Sequence, residues 1–266
     1  MLNVDDIVHI EVGQELVGAV DKSTSAIRAL GTSANGLFVS GVNRSAGSFT
    51  VSAATVTNAT DGIPLLAVND YLFIRGDRDE ISSPARGAIA GLEAWIPATA
   101  PTNALFFNVD RTQDITRLGG LRMDGSGGPI EEVLIDAAAK VAREGGSLDH
   151  YFMSYGKWVE LEKALGSKVQ YVDLMATATV GFRGIQIQGP KGMIKVMADR
   201  SCQSDRIWGL TLNTFKLKSL GEPVKALNLD GLKMLRRHDD DSVEARWGFR
   251  GNLGCHAPGM NICIYG

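Results

Sequence analysis

His238, Asp239, Asp240 and Asp241 are the densest group of side chains in the chain that could ligate a metal. Calcium or magnesium would take carboxylate oxygens there, provided a loop turned the side chains toward one centre. Adjacent residues of an extended chain point to opposite faces, and no glycine-containing loop of calcium-binding spacing surrounds the cluster. It reads as a solvated turn. Asp124-Gly125-Ser126-Gly127-Gly128 loosely resembles a phosphate-cradling loop. It lacks the lysine and hydroxyl pair of a nucleotide loop and the spaced glycines of a dinucleotide fingerprint, so it reads as a flexible connection or helix cap. Gly189-Pro190-Lys191-Gly192 also offers a lysine among glycines. Its flanks are strand-like on both sides, whereas a phosphate loop must open a helix, so a hairpin turn is the better reading.

The four histidines, His9, His150, His238 and His256, are far apart in sequence and fit no ligand or nucleophile-elbow spacing. Cys255 and His256 are neighbours, which points their side chains apart in extended chain and argues against a thiolate pair. Cys202, Cys255 and Cys263 fit no zinc-ribbon or redox spacing and read as buried, reduced thiols. No catalytic, cofactor-binding or metal-ligating residue is assigned, and no cofactor or metal is expected.

The elements that would have to position any site fall into segments. Up to about Arg75 the chain is strand-rich: Glu15 to Val20, Gly36 to Val42, Ser48 to Ser52 and Asp70 to Ile74 are β-branched or aromatic runs bounded by turn residues. Asn43 to Gly47 suits a hairpin loop. Residues 1–75 are therefore expected to form a small all-β module, a barrel or sandwich closed to protect its edges. Residues 76–128 lack periodicity and carry Pro97 and Pro101, and read as an irregular segment wrapping along a neighbouring surface.

From Pro129 the period becomes helical. Ile130, Val133, Leu134, Ala137, Ala138 and Val141 form one apolar stripe, Glu131 and Glu132 suit the positive end of a helix, and Gly145-Gly146 stops it. A strand at Tyr151 to Met153 follows, then a helix marked by Trp158, Leu161 and Leu165 and ended by Gly166. The runs Ile185 to Gln188 and Met193 to Met197 make a hairpin around the turn at 189–192. Helices mixed with hairpins predict an α+β fold.

With 44% hydrophobic and 21% charged residues among 266, the composition is globular rather than disordered. A net charge of −3 gives no support to sequence-specific nucleic-acid binding, which wants a clustered basic face. No apolar run approaches membrane-spanning length and the first residues lack a secretory pattern, so a soluble protein made in a cytoplasm is expected.

Many segments in one order carry a resemblance: Asp70-Tyr71-Leu72-Phe73 with Gly76-Asp77; Gly91-Leu92-Glu93-Ala94-Trp95-Ile96-Pro97; Val109-Asp110-Arg111 with Thr116-Arg117-Leu118; and Gly128-Pro129-Ile130-Glu131-Glu132. It continues through Ala142 to Gly146, Lys163 to Tyr171, Gly189 to Gly192, and the closing Gly251-Asn252-Leu253-Gly254-Cys255-His256-Ala257-Pro258-Gly259-Met260-Asn261. Together they resemble the major capsid (coat) proteins of tailed double-stranded-DNA bacteriophages and prophages. The resemblance implies a Hong Kong 97-like fold, with helices packed on a mixed sheet as an axial domain at 129–228 and C-terminal strands at 229–266 returning to a peripheral domain. It implies an icosahedral capsid subunit that forms pentamers and hexamers with copies of itself around double-stranded DNA, with scaffold, portal or decoration proteins as further partners. The virion, and the host bacterial cytoplasm during assembly, are the implied locations.

The chain departs from the family's pattern in showing no N-terminal arm, extended hairpin or spine helix, so a truncated coat protein that associates weakly into rings is expected, with residues 166–179 at the axial tip. The β module would be an insertion. The residues also leave open a non-viral nanocompartment shell, a hydrolase with a site assembled from distant Asp and His residues, and a surface-binding module.

Overall fold

A computed structural model describes residues 6–19, 37–52, 71–74, 89–101, 105–165, 185–222, 224–226, 234–236, 242–245 and 247–266. The first unit is an antiparallel sheet of β1 (Glu15–Ala19), β2 (Leu37–Asn43), β3 (Ser48–Ser52) and β4 (Tyr71–Ile74), in the order β3-β2-β1-β4. All four strands coincide with the β-branched and aromatic runs. Ile7, Ile10, Leu16 and Val39 bury a small core with Val42 and Phe49 packed on it. Among the described residues the sheet is open, not a closed barrel or sandwich, and β3 and β4 are its edges. Arg200 donates to the Val8 carbonyl at 3.3 Å and ties this unit to the rest of the chain.

The main body begins inside the segment expected to be irregular. There, α1 (Leu92–Trp95), α2 (Ile115–Gly119) and β5 (Leu121–Asp124) precede α3 (Ile130–Arg143). Then come β6 (His150–Met153), α4 (Tyr155–Leu165), the hairpin β7 (Gln186–Gly189) and β8 (Gly192–Ala198), and β9 (Arg206–Leu210). Five further strands, β10 (Phe215–Ser219), β11 (Lys225–Ala226), β12 (Leu235–Arg236), β13 (Val243–Glu244) and β14 (Trp247–Gly248), lead to β15 (Gly251–Cys255) and β16 (Ile262–Tyr265).

Six strands form the central mixed sheet, in the order β5-β16-β9-β6-β8-β7. Its strands alternate strictly between two cores. Tyr151, Met153, Ile207, Ile262 and Ile264 face α3 and α4, whereas Phe152, Trp208 and Cys263 face Ile96, Leu92 and Trp95 on the other side. The chain thus builds three layers, an α+β architecture. All six residues of the α3 stripe are buried. Gly145, at φ 90, ends the helix: its N–H bonds the Ala142 carbonyl, and the Gly146 N–H bonds that of Val141.

This topology corrects two expectations. The stretch 76–128 supplies an edge strand and, through Ile96, a fully buried core residue. The C-terminal strands do not all leave for a second domain, because β16 sits between β5 and β9. The C-terminal part also forms ladders outside the central sheet. Strands β10–β15, β11–β14 and β12–β13 pair antiparallel in succession as three two-stranded ladders, together called the ribbon.

Gly209 marks the closest approach within the sheet. A Cβ there would lie 2.6 Å from Ile262 and 2.8 Å from Tyr151, both held in the core. Gly209→Val is therefore expected to cost about 2–3 kcal/mol through overpacking, measured as a shifted denaturant midpoint.

Candidate functional site

The groups that the sequence singles out for chemistry are put to structural use or held apart. Asp124 follows β5 into α3, and its carboxylate accepts from the Ser126 N–H at 2.9 Å and hydroxyl at 2.6 Å. These bonds hold its pKa below the usual carboxylate range. The loop is thus closed on itself by an Asx turn. Lys191 lies in the β7–β8 turn and donates to the Gly145 carbonyl at 2.8 Å, placing a cation at the negative end of α3.

His9 ends a 3-10 turn in the first unit, His150 stacks on Phe152 at 5.9 Å, and His256 is exposed after β15. Cys255 is buried beside Thr214, and burial pushes its thiol pKa up, the opposite of nucleophile activation. Cys202 and Cys263 are also buried and outside any disulfide. Among the described residues no group of three His, Cys, Asp or Glu is placed to hold a metal. His238 to Asp241 and residues 166–179 lie outside the described residues. Two depressions, one beside Gly189–Gly192 and one beside Gly125 and Tyr265, have volumes of only ≈ 10 and ≈ 20 Å³, room for a water but not for a substrate.

The surface itself is the unusual feature. Leu105, Phe107 and Val109 are exposed on a tight turn in which Phe106 and Val109 exchange both backbone hydrogen bonds at 3.0 Å. Phe107 and Asn108 sit at φ 49 and 62, the double left-handed pair of a type I′ turn, where a phenylalanine is strained. The turn is braced from within. Trp95 packs on Phe106 at 5.0 Å and on Phe107 at 5.7 Å, and the Arg111 guanidinium lies 4.2 Å over Phe106 while donating to the Ala94 carbonyl at 2.7 Å. Burial, then the neighbouring Arg122 charge, lowers the Arg111 pKa.

The ribbon exposes a second apolar set: Leu217, Leu220, Val224, Met234, Val243 and Trp247, from 58 to 85% accessible. Its root is anchored on one edge, where the Ala90 N–H donates to Asn252 at 2.7 Å and the Trp95 indole to the Leu253 carbonyl at 2.9 Å. The resemblance implied strands at 229–266 but not their pairing with 215–236, and sequence reasoning missed the 105–109 turn, because an aromatic pair lacks the Asn-Gly or Asp-Gly signature of such turns.

A monomeric enzyme rarely leaves so many large apolar groups in solvent, whereas a protein that meets partners along its surface does. The family model described as SU10 major capsid protein matches residues 69–233, more than half of the chain. The chain belongs to that capsid protein family. Its role is therefore structural, as a capsid subunit, and the family match favours this reading over the nanocompartment, hydrolase and surface-binding alternatives.

No curated protein matches the capsid chain. A solved structure, "Crystal structure of virus-like particle from Pyrococcus furiosus", is similar over 54% of this chain and 54% of that one, at 9% identity and a TM-score of 0.31. The capsid chain thus spans about half of that structure's length, and a likeness this weak carries no argument.

Proposed function

We propose that this chain builds an icosahedral shell around double-stranded DNA by associating with copies of itself into pentameric and hexameric capsomers. The observation that carries this reading is the family match over residues 69–233. Exposed apolar groups on the 105–109 turn and on the ribbon support it, since surfaces of this kind are covered when subunits meet. In this proposal the helix-backed sheet, including β5 and β16, is the axial domain, and the chain performs no catalysis and needs no cofactor. Scaffold, portal or decoration proteins join it in the host cytoplasm, and the finished shell is the virion capsid.

Sedimentation velocity over a concentration series, with electron microscopy of the same samples, tests the proposal. Concentration-dependent closed rings or shells are the expected result, because contacts that repeat by rotation close. A strictly monomeric chain at high concentration would overturn it.

A further inference from the structure

The ribbon separates its residues by face. Within β10 and the residues after it, Lys216, Lys218 and Leu220 share one side of the strand, and Arg250 lies opposite Leu220, whose N–H bonds the Arg250 carbonyl at 2.8 Å. All four side chains are exposed, Leu220 at 85%. Among the described residues none of the three cations forms an ion pair. The root of the ribbon therefore presents a cationic face with an apolar residue at its centre.

A surface of opposite character lies on α3. Glu132, Ile135 and Asp136 are exposed on its outer side, with Ile135 at 49%, and neither carboxylate has an ion-pair partner among the described residues. Both surfaces place an exposed aliphatic group among like charges, and the two signs are complementary.

They cannot meet within one chain. Phe215, the first residue of the ribbon, packs with Ile96, Trp208 and Cys263 on one face of the central sheet, while α3 packs with Tyr151, Ile207 and Ile264 on the other. The sheet stands between them. The ribbon starts at one layer, and the acidic residues are exposed on the helix of the opposite layer.

We propose that the cationic ribbon face of one copy docks on the Glu132–Ile135–Asp136 face of α3 in a second copy. This deepens the self-assembly reading and rests on it. The contact is heterologous, joining different surfaces of identical chains, so each copy offers one of each and the contact propagates, to a ring where its rotation closes. A two-stranded ribbon is marginal on its own in water, and seating it on a neighbour supplies the burial it lacks.

Charge reversal tests the pairing in the full chain. K216E/K218E/R250E and, separately, E132K/D136K should each weaken association at least tenfold, with circular dichroism unchanged. Combining the five substitutions should restore it, an outcome that a merely misfolded variant does not give. Should the reversals fail to fold, E132Q/D136N and a salt series replace them. Association of the unaltered chain should then weaken from ~0.1 to ~1 M salt, as the screening length falls from about 10 to about 3 Å. Rings or shells that form equally well in the reversed variants would overturn this contact while leaving self-assembly standing, and a chain that never associates would overturn both. Reversals that abolish binding of a duplex DNA probe but leave association intact would assign the cationic face to nucleic acid and overturn the docking.

Discussion

Replacing Asn261 with leucine is expected to destabilise the fold by about 2–4 kcal/mol, because it leaves several buried polar groups without partners. Asn261 is fully buried. Its carbonyl oxygen accepts from the Thr211 N–H at 2.8 Å, and its amide donates to the Thr214 hydroxyl and to the Ala257 carbonyl, each at 3.0 Å. The Thr214 hydroxyl in turn donates to the Thr211 carbonyl at 2.7 Å, and the Thr211 hydroxyl lies 2.8 Å from the Ser147 carbonyl. Asn261 thereby joins the end of β9 to the turn at Thr214 and the segment before β16, and Thr211 extends the network to the loop before β6. Leucine keeps the branching at Cγ but is larger and satisfies none of these groups. Chemical denaturation measures the loss.

Asn261→Asp separates polarity from shape. The carboxylate would still accept from Thr211 but could not donate to Ala257, and burial would raise its pKa above the unfolded value. A raised carboxyl binds more protons in the folded state, so stability should fall as pH rises through the carboxylate range and recover below it. Equal stability of Asn261→Asp and the unaltered chain at neutral pH would refute the account.

Arg122→Met is the second large effect, at about 2–3 kcal/mol, because hydrogen bonds from a charged group to buried carbonyls are among the stronger ones. The guanidinium reaches the Pro97 carbonyl at 2.9 Å and those of Gly119 and Gly120 at 3.0 and 2.9 Å, with Ile115 at 3.3 Å. It caps the C-terminal end of α2 and fastens the 89–120 layer to β5. Desolvation lowers its pKa, and the carbonyls around it replace part of its hydration. Lysine cannot reproduce the fork and should recover only part of the loss. Amide exchange across 115–120 should accelerate about tenfold for each 1.4 kcal/mol lost. Unchanged exchange there would show that the layer is held by its apolar contacts alone.

What the sequence determined by itself was local. The α3 stripe from Ile130 to Val141, the stop at Gly145-Gly146, the hairpin turn around Pro190-Lys191 and the strands of the first sheet each follow from a period or turn chemistry contained within a few residues. The ordered run of segments from Asp70 to Asn261 was likewise enough to point to a capsid protein. What only the tertiary structure decided was pairing across long separations. Leu121 meeting Ile262, and Phe215 meeting Cys255, leave no mark in the periodicity of either strand, because a strand shows which face is apolar but not which edge it will join. Arg122 and Asn261 were illegible for the same reason: a polar side chain reads as exposed until the fold brings distant carbonyls around it. The two faces proposed to dock were hidden further still. Lys216 and Glu132 look like ordinary solvated charges in sequence, and the proposal that another copy supplies their complement rests on the central sheet that stands between them.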